Sequence, residues 1–445
     1  MQIQIRYVAI FGVFLLLLVL SACYAPIWYD DAGHFIVIRE FVSEGVACYP
    51  VDLGAGICDA QSPFITLGPA LNYPLAGWMW AFGPNMLTGR IFMVMLALGA
   101  MLAFWMLARR LLQPQKAFWA LALVLGNVQL VTYGSEILGE VPMLGWLFLG
   151  LALQLDWWQN GSWRAHLAAT GAYVLAILSK EYVALPLAMG LGAWMVYWLW
   201  MRQARQVLAI LGQGLLIGLA IIGYHLAKTG SWEAFFAWFQ ARGSYGAEFF
   251  SFNLGESLRF LLFKPLILLG SIALLIKVWM RRAAPDILIA CFHFAHLFFF
   301  LSSAGYDRFG FQLIFIPAIY LAEFMAVIWK RFILKQPHPR LRQMVFIFSF
   351  LLLFTQQTFP ILAQRILSST SSNLAEETVS ALISQYHIEQ IYTYDQQLIP
   401  FLPPKVRFRL SPTVPSNSSN CQPLSLHSAE WLIAGIYAQT SFQNC

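Results

Sequence analysis

The chain has 445 residues, of which 59% are hydrophobic and only 11% charged, far below the roughly 25% charge of ordinary soluble domains. That balance excludes a soluble globular enzyme. The net charge of +6 is not gathered into one groove-sized patch, which excludes a nucleic-acid surface. Apolar runs of about 18 residues or more recur from end to end, each long enough to cross roughly 30 Å of hydrocarbon. At that depth only helices satisfy every backbone group.

In chain order these runs predict eleven membrane-spanning helices, near 7–25, 88–108, 117–133, 139–155, 166–179, 182–200, 206–226, 258–279, 285–303, 309–329 and 343–361. The first has the form of a signal sequence, and Leu20-Ser21-Ala22-Cys23 reads as a lipoprotein cleavage site. With ten spans downstream, an uncleaved first helix is the better reading. Putting the amino terminus in the cytoplasm sorts fourteen basic residues onto the inner side: Arg109, Arg110, Lys116, Arg164, Arg202, Arg205, Lys277, Arg281, Arg282, Lys330, Arg331, Lys335, Arg340 and Arg342. This is a strong positive-inside pattern. Of the acidic residues only Asp156, Asp286 and Glu323 fall there; the rest gather at the outer boundary. An integral protein of a bacterial inner membrane is expected, with its C-terminal part extracytoplasmic.

Two domains follow. A membrane module, 1–361, carries outer loops at 26–87 and 227–257, the second aromatic-rich and expected to lie along the interface as amphipathic helices. A soluble extracytoplasmic tail, 362–445, reads as a small α/β domain, with a helix around Ala375–Tyr386 and strands near Ile391–Tyr394, Val406–Leu410 and Trp431–Tyr437. The fold class is thus an α-helical polytopic membrane protein with a small C-terminal α/β domain. Cys48 and Cys58 share the first loop, and Cys421 and Cys445 share the tail, so two disulfides in an oxidising compartment are expected. Cys23 and Cys291 lie within spans, and no cysteine pair has zinc-site spacing. Asn417-Ser418-Ser419 matches a glycosylation sequon, which matters only in a eukaryotic lumen.

Chemistry concentrates in the outer turns. Trp28-Tyr29-Asp30-Asp31-Ala32-Gly33-His34 follows the first span. Its paired carboxylates are either a solvated loop start or an acid–base site on a sugar-compatible aromatic surface. Glu136 and Glu140 occupy one short turn, Lys180 and Glu181 another. Ionisable groups at membrane depth usually face a cavity or a partner, although Lys180 and Glu181 could simply cap two helices. Asp307 and Arg308 either pair with each other or supply a cation. Arg90, at the start of a span, either snorkels to the interface or holds an anion. His34 either contacts an acceptor or bonds a loop carbonyl. Together these groups suit transfer from a polyprenyl-phosphate donor, with the lipid tail between helices and a cation on its phosphate. Arginine serves that role bidentately and lysine as a point charge. A carboxylate takes the acceptor proton. The leaving group is already a phosphate, so the second carboxyl role of glycoside hydrolysis is not needed.

At these residues the sequence resembles the GT-C superfamily, in the branch of protein O-mannosyltransferases and the lipid A aminoarabinose transferase. That branch carries an acidic pair soon after the first span, followed by alanine and an aromatic or histidine, and Asp30-Asp31-Ala32-Gly33-His34 is similar to it. Further matches follow in order: Thr66-Leu67-Gly68-Pro69-Ala70-Leu71-Asn72-Tyr73-Pro74, Phe82-Gly83-Pro84-Asn85 with Arg90, Glu140-Val141-Pro142, Lys180-Glu181, and Arg308-Phe309 with Pro317. The resemblance covers about residues 1–330 and leaves the tail unmatched. It implies inverting transfer from a polyprenyl-phosphate monosaccharide. Asp30 would be the base, and Asp31 a neighbour that orients the base or acceptor. Lys180 and Arg308, with Arg90 less so, would hold the donor phosphate. Some members use a divalent ion; no spaced acidic triad is visible here, and none is expected. The competing reading is a transporter or flippase of a lipid-linked intermediate. Transporters set ionisable residues near the midplane, often within inverted repeats, whereas here they cluster at one interface and no repeat is visible.

Overall fold

The computed structural model describes residues 2–24, 29–45, 49–50, 58–59, 68–247, 254–262, 264–302, 310–328 and strand segments at 388–393, 407–410, 422–423 and 436–440. Arg308, Cys48, Cys421, Cys445, the span expected at 343–361 and the helix expected at 375–386 lie outside the described residues. Helices dominate. They are α1 (Gln2–Tyr24), α2 (Tyr29–Glu44), α3 (Pro69–Phe82), α4 (Met86–Leu111), α5 (Pro114–Leu125), α6 (Val128–Tyr133), α7 (Glu140–Asn160) and α8 (Trp163–Ser179). After a short 3-10 turn come α9 (Ala184–Trp200), α10 (Ala204–Thr229), α11 (Trp232–Ala247), α12 (Leu254–Leu262), α13 (Pro265–Arg281), α14 (Ala284–Ser302) and α15 (Phe315–Ile328).

By length and hydropathy, five described segments suffice to cross a membrane: Met86–Leu111, Glu181–Trp200, Ala204–Thr229, Ala284–Ser302 and Phe311–Ile328. Three expectations are corrected. The loop 26–87 contains two helices, α2 and α3. The span expected at 117–133 divides where Gly126 ends α5 and the Asn127 side chain caps α6 by accepting from the Gln129 N–H at 2.9 Å. The span expected at 258–279 divides ahead of Pro265, which opens α13 and disfavours helical backbone in the residue before it.

The core sits between α4, α7, α8 and α15. Phe104, Phe148 and Phe315, one from each of α4, α7 and α15, pack with ring centroids 4.9–5.6 Å apart. Within the bundle, the Gln213 amide donates to Gln154 at 3.0 Å and to Thr170 at 3.2 Å, tying α10 to α7 and α8. Such bonds join helices where lipid offers no hydrophobic drive to association. At the end of the bundle formed by the C-terminus of α4, Arg110 pairs with Asp156. There too Lys277 lies 3.2 Å from Asp286 and 2.6 Å from Glu323, with Lys116 3.6 Å from Glu323. The Tyr320 hydroxyl donates to Asp286 at 3.0 Å.

In the tail, strands β3 (Ile388–Thr393), β4 (Arg407–Leu410), β5 (Gln422–Pro423) and β6 (Ile436–Thr440) form one sheet in the order β4-β3-β6-β5, with β3 parallel to β4 and antiparallel to β6. The last strand overlaps the expected Trp431–Tyr437 at 436–437, and residues 431–435 lie outside the described residues. A short antiparallel pair, β1 (Tyr49–Pro50) with β2 (Cys58–Asp59), sets Pro50 opposite Cys58.

Candidate active site at the Asp30 end of the bundle

Helix α2 begins with Asp30 and Asp31 in its first turn, where the macrodipole favours negative charge. Neighbours on a helix point about 100° apart, so the two carboxylates face different surroundings. Asp30 is exposed. Asp31 is fully buried, and its Oδ2 accepts from Arg90 Nη2 at 2.5 Å and Nε at 3.1 Å. Its Oδ1 accepts from the Ile137 N–H at 2.7 Å. One turn along the same face, His34 Nδ1 lies 2.7 Å from the Ile137 carbonyl. A carbonyl only accepts, so Nδ1 carries the donated hydrogen.

The turn between α6 and α7 is therefore held from α2. It is tight: the Leu138 N–H donates back to the Glu136 carbonyl at 2.8 Å, closing a three-residue turn about Ile137. The Ile137 side chain fits a notch at Gly89, where an added Cβ would come within 2.7 Å of its Cδ1. Ser135 Oγ lies 2.9 Å from Ser21 Oγ, tying the same turn to α1. Glu136 is buried within this turn, and Glu140, 1% exposed, opens α7.

Among the described residues neither Glu140 oxygen has a hydrogen-bond partner, yet Lys180 Nζ approaches to 3.5 Å. Lys180 ends α8 with extended backbone, φ −153° and ψ 109°. In extended backbone successive side chains point to opposite sides, so Lys180 turns to Glu140 while Glu181 lies 3.8 Å from His225 Nε2 on α10. The His225 ring stacks on Trp238 of α11 at 4.4 Å. Helix α3 closes the arrangement: the Gly68 N–H donates to the Ser179 carbonyl at 3.3 Å, and a Cβ at Gly68 would sit 1.8 Å from the Leu178 oxygen. Only glycine fits this approach.

The geometry bears on three of these readings. Arg90 does not snorkel; it is 3% exposed and engaged by Asp31 at the start of α2. Lys180 and Glu181 do not pair with each other. His34 takes the second of its two readings, bonding a loop carbonyl. Sequence reasoning missed the Ile137 peptide, the Ser21–Ser135 contact and the His225–Glu181 pair. The signal for Ile137 was its place between Glu136 and Glu140; nothing local marked the others.

No family model matches the chain, and no curated protein matches its sequence. Its fold does match solved structures. ArnT from Cupriavidus metallidurans bound to undecaprenyl phosphate has a TM-score of 0.60 at 15% identity, over 90% of this chain and 85% of that one. ArnT in the apo state has a TM-score of 0.60 at 16% identity, over 92% and 86%. The archaeal oligosaccharyltransferase AglB from Archaeoglobus fulgidus, in complex with an inhibitory peptide and a dolichol-phosphate, has a TM-score of 0.51 at 13% identity, over 82% of this chain and 56% of that one. The chain shares the fold of ArnT and AglB.

Proposed function

We propose that this protein is an inverting glycosyltransferase. It moves a monosaccharide from a polyprenyl-phosphate donor to a lipid, glycan or protein acceptor on the extracytoplasmic face of a bacterial inner membrane. The observation that carries this is the division between adjacent carboxylates: Asp31 is buried and engaged by Arg90 and Ile137, while Asp30 remains exposed at a helix N-terminus. Asp30 accepts the proton of the acceptor hydroxyl as its oxygen attacks the anomeric carbon, and the polyprenyl phosphate departs with the bonding electrons. Lys180, with Arg308, holds the departing phosphate. Glu140, 3.5 Å from Lys180, holds that ammonium in place until the phosphate arrives.

Two likenesses support the donor class: ArnT was solved with undecaprenyl phosphate and AglB with a dolichol-phosphate. Hexosyl and pentosyl donors fit equally. The transporter reading has less support, because ion pairs bind α4 to α7 and α5 to α15 at the far end of the bundle. The reading is tested by incubating the purified protein with a panel of radiolabelled polyprenyl-phosphate sugars and a membrane extract of acceptors. Label should move to an acceptor. Asp30→Asn should abolish the transfer while membrane insertion stays normal, and full activity in that variant removes Asp30 as the base.

A further inference from the structure

Both backbone polar groups of one residue, the N–H and C=O of Ile137, are taken by side chains of a single helix. Asp31 accepts the N–H at 2.7 Å and His34 donates to the C=O at 2.7 Å. The residues lie 106 and 103 positions from Ile137 in sequence. Asp31 is 0% exposed and His34 6% exposed, so each bond lies where a lost partner is costly. The grip extends to the side chain, since Ile137 sits in the Gly89 notch, and Arg90, the next residue, holds Asp31. Ile137 is the middle of a turn whose first residue is Glu136, and Glu140 lies two residues beyond its end. A turn this short transmits any rotation about its central residue to its neighbours. Asp30, in turn, is the residue before Asp31.

We propose that His34 is a positioning residue. Through the Ile137 carbonyl it fixes the turn that carries Glu136 and Glu140 against the helix start that carries Asp30. This rests on the glycosyl-transfer reading above, in which Asp30, Glu140 and Lys180 surround the reacting groups. His34 itself touches neither donor nor acceptor. Asp31 and His34 act as a pair, one holding the N–H and the other the C=O, which fixes the two peptide planes that flank Ile137 as a strand partner would.

The test compares His34→Ala with His34→Asn in purified full-length protein, using the polyprenyl-phosphate sugar that the unaltered protein accepts. The asparagine amide N–H stands close to where Nδ1–H stood, so it can restore the bond to Ile137. For His34→Ala, kcat should fall on the order of 10²-fold, the scale of misplacing catalytic groups, with donor and acceptor KM within about twofold. His34→Asn should recover most of that loss. Hydrogen exchange gives a readout free of activity. Amides over residues 134–140 should exchange roughly tenfold faster in His34→Ala, as expected for one lost buried hydrogen bond, and near the original rate in His34→Asn. The proposal is overturned if the asparagine variant is as impaired as the alanine variant. A rise in acceptor KM at unchanged kcat also overturns it, since that marks direct substrate contact. If the unaltered protein transfers no sugar, the glycosyl-transfer reading fails, while the exchange rates still decide whether His34 holds the turn.

Discussion

Two full charges meet in a space with almost no water at Asp31 and Arg90, whose side chains are 0% and 4% exposed. Removing ions from water costs several kcal/mol each, and only good geometry returns it. Here the geometry is good: two guanidinium nitrogens reach one oxygen and a backbone N–H reaches the other. Losing one partner strands the other charge. Arg90→Met alone should destabilise the folded protein by about 3 to 5 kcal/mol. Asp31→Asn combined with Arg90→Met should recover more than half of this, because the amide oxygen still accepts from Ile137 and no charge is left buried. Unfolding free energies of the single and double variants in mixed micelles check the cycle. A double variant no better than the single would mean that the cost lies in packing rather than in charge. Arg90→Lys belongs with the impaired set, since an ammonium cannot reproduce the two-nitrogen contact.

Among elements, the join of α3 to α8 depends on one atom's worth of space. A methyl at Gly68 would stand 1.8 Å from a backbone oxygen of α8, and backbone cannot swing aside as a side chain can. Gly68→Ala should therefore detach α3 and lower the thermal midpoint by several degrees, the scale of about 1 to 3 kcal/mol of lost packing. A midpoint unchanged in a detergent melting curve would show that α3 has room to shift.

Elements also show what a sequence displays and what it hides. The long apolar segments were legible, because twenty residues of hydrocarbon-compatible side chain permit few alternatives; α4, α10 and α14 lie close to their expected bounds. Helices α2 and α3 were not, because α2 carries charges and a histidine, and α3, though apolar, has only 14 residues and contains Pro74, so neither displays an apolar run long enough to cross a membrane. Of the site, the cluster of acidic turns was legible as charge in a chain that has little of it. The partners were not: Asp31 finds Arg90 across 59 residues and Ile137 across 106. Pairing at that range is decided by how helices cross, which local periodicity does not encode. The partner of Arg90 was hidden for that reason, since position in a span suggests snorkelling and only the fold supplies Asp31 as a counter-charge.

For the whole molecule, the two ends of the bundle differ in kind. At the Asp30 end, polar side chains converge on a short turn and Asp30 remains exposed. At the other end, Lys116, Lys277, Asp286 and Glu323 are drawn together from α5, α13, α14 and α15, and Arg110 of α4 holds Asp156 of α7. A protein that alternates access must break contacts of this kind in every cycle, whereas a transferase working from one face need never break them. Cross-linking the far end separates these cases. Cysteine pairs at Arg110 with Asp156, and at Lys116 with Glu323, are joined by a short bismaleimide in a background lacking Cys23 and Cys291. Sugar transfer by the cross-linked fraction should remain within about twofold of the same variant before cross-linking, because a linked pair that never separates adds nothing to the barrier. Loss of turnover in proportion to cross-linking would instead mean that the far end opens during function, and the one-sided mechanism would give way to alternating access.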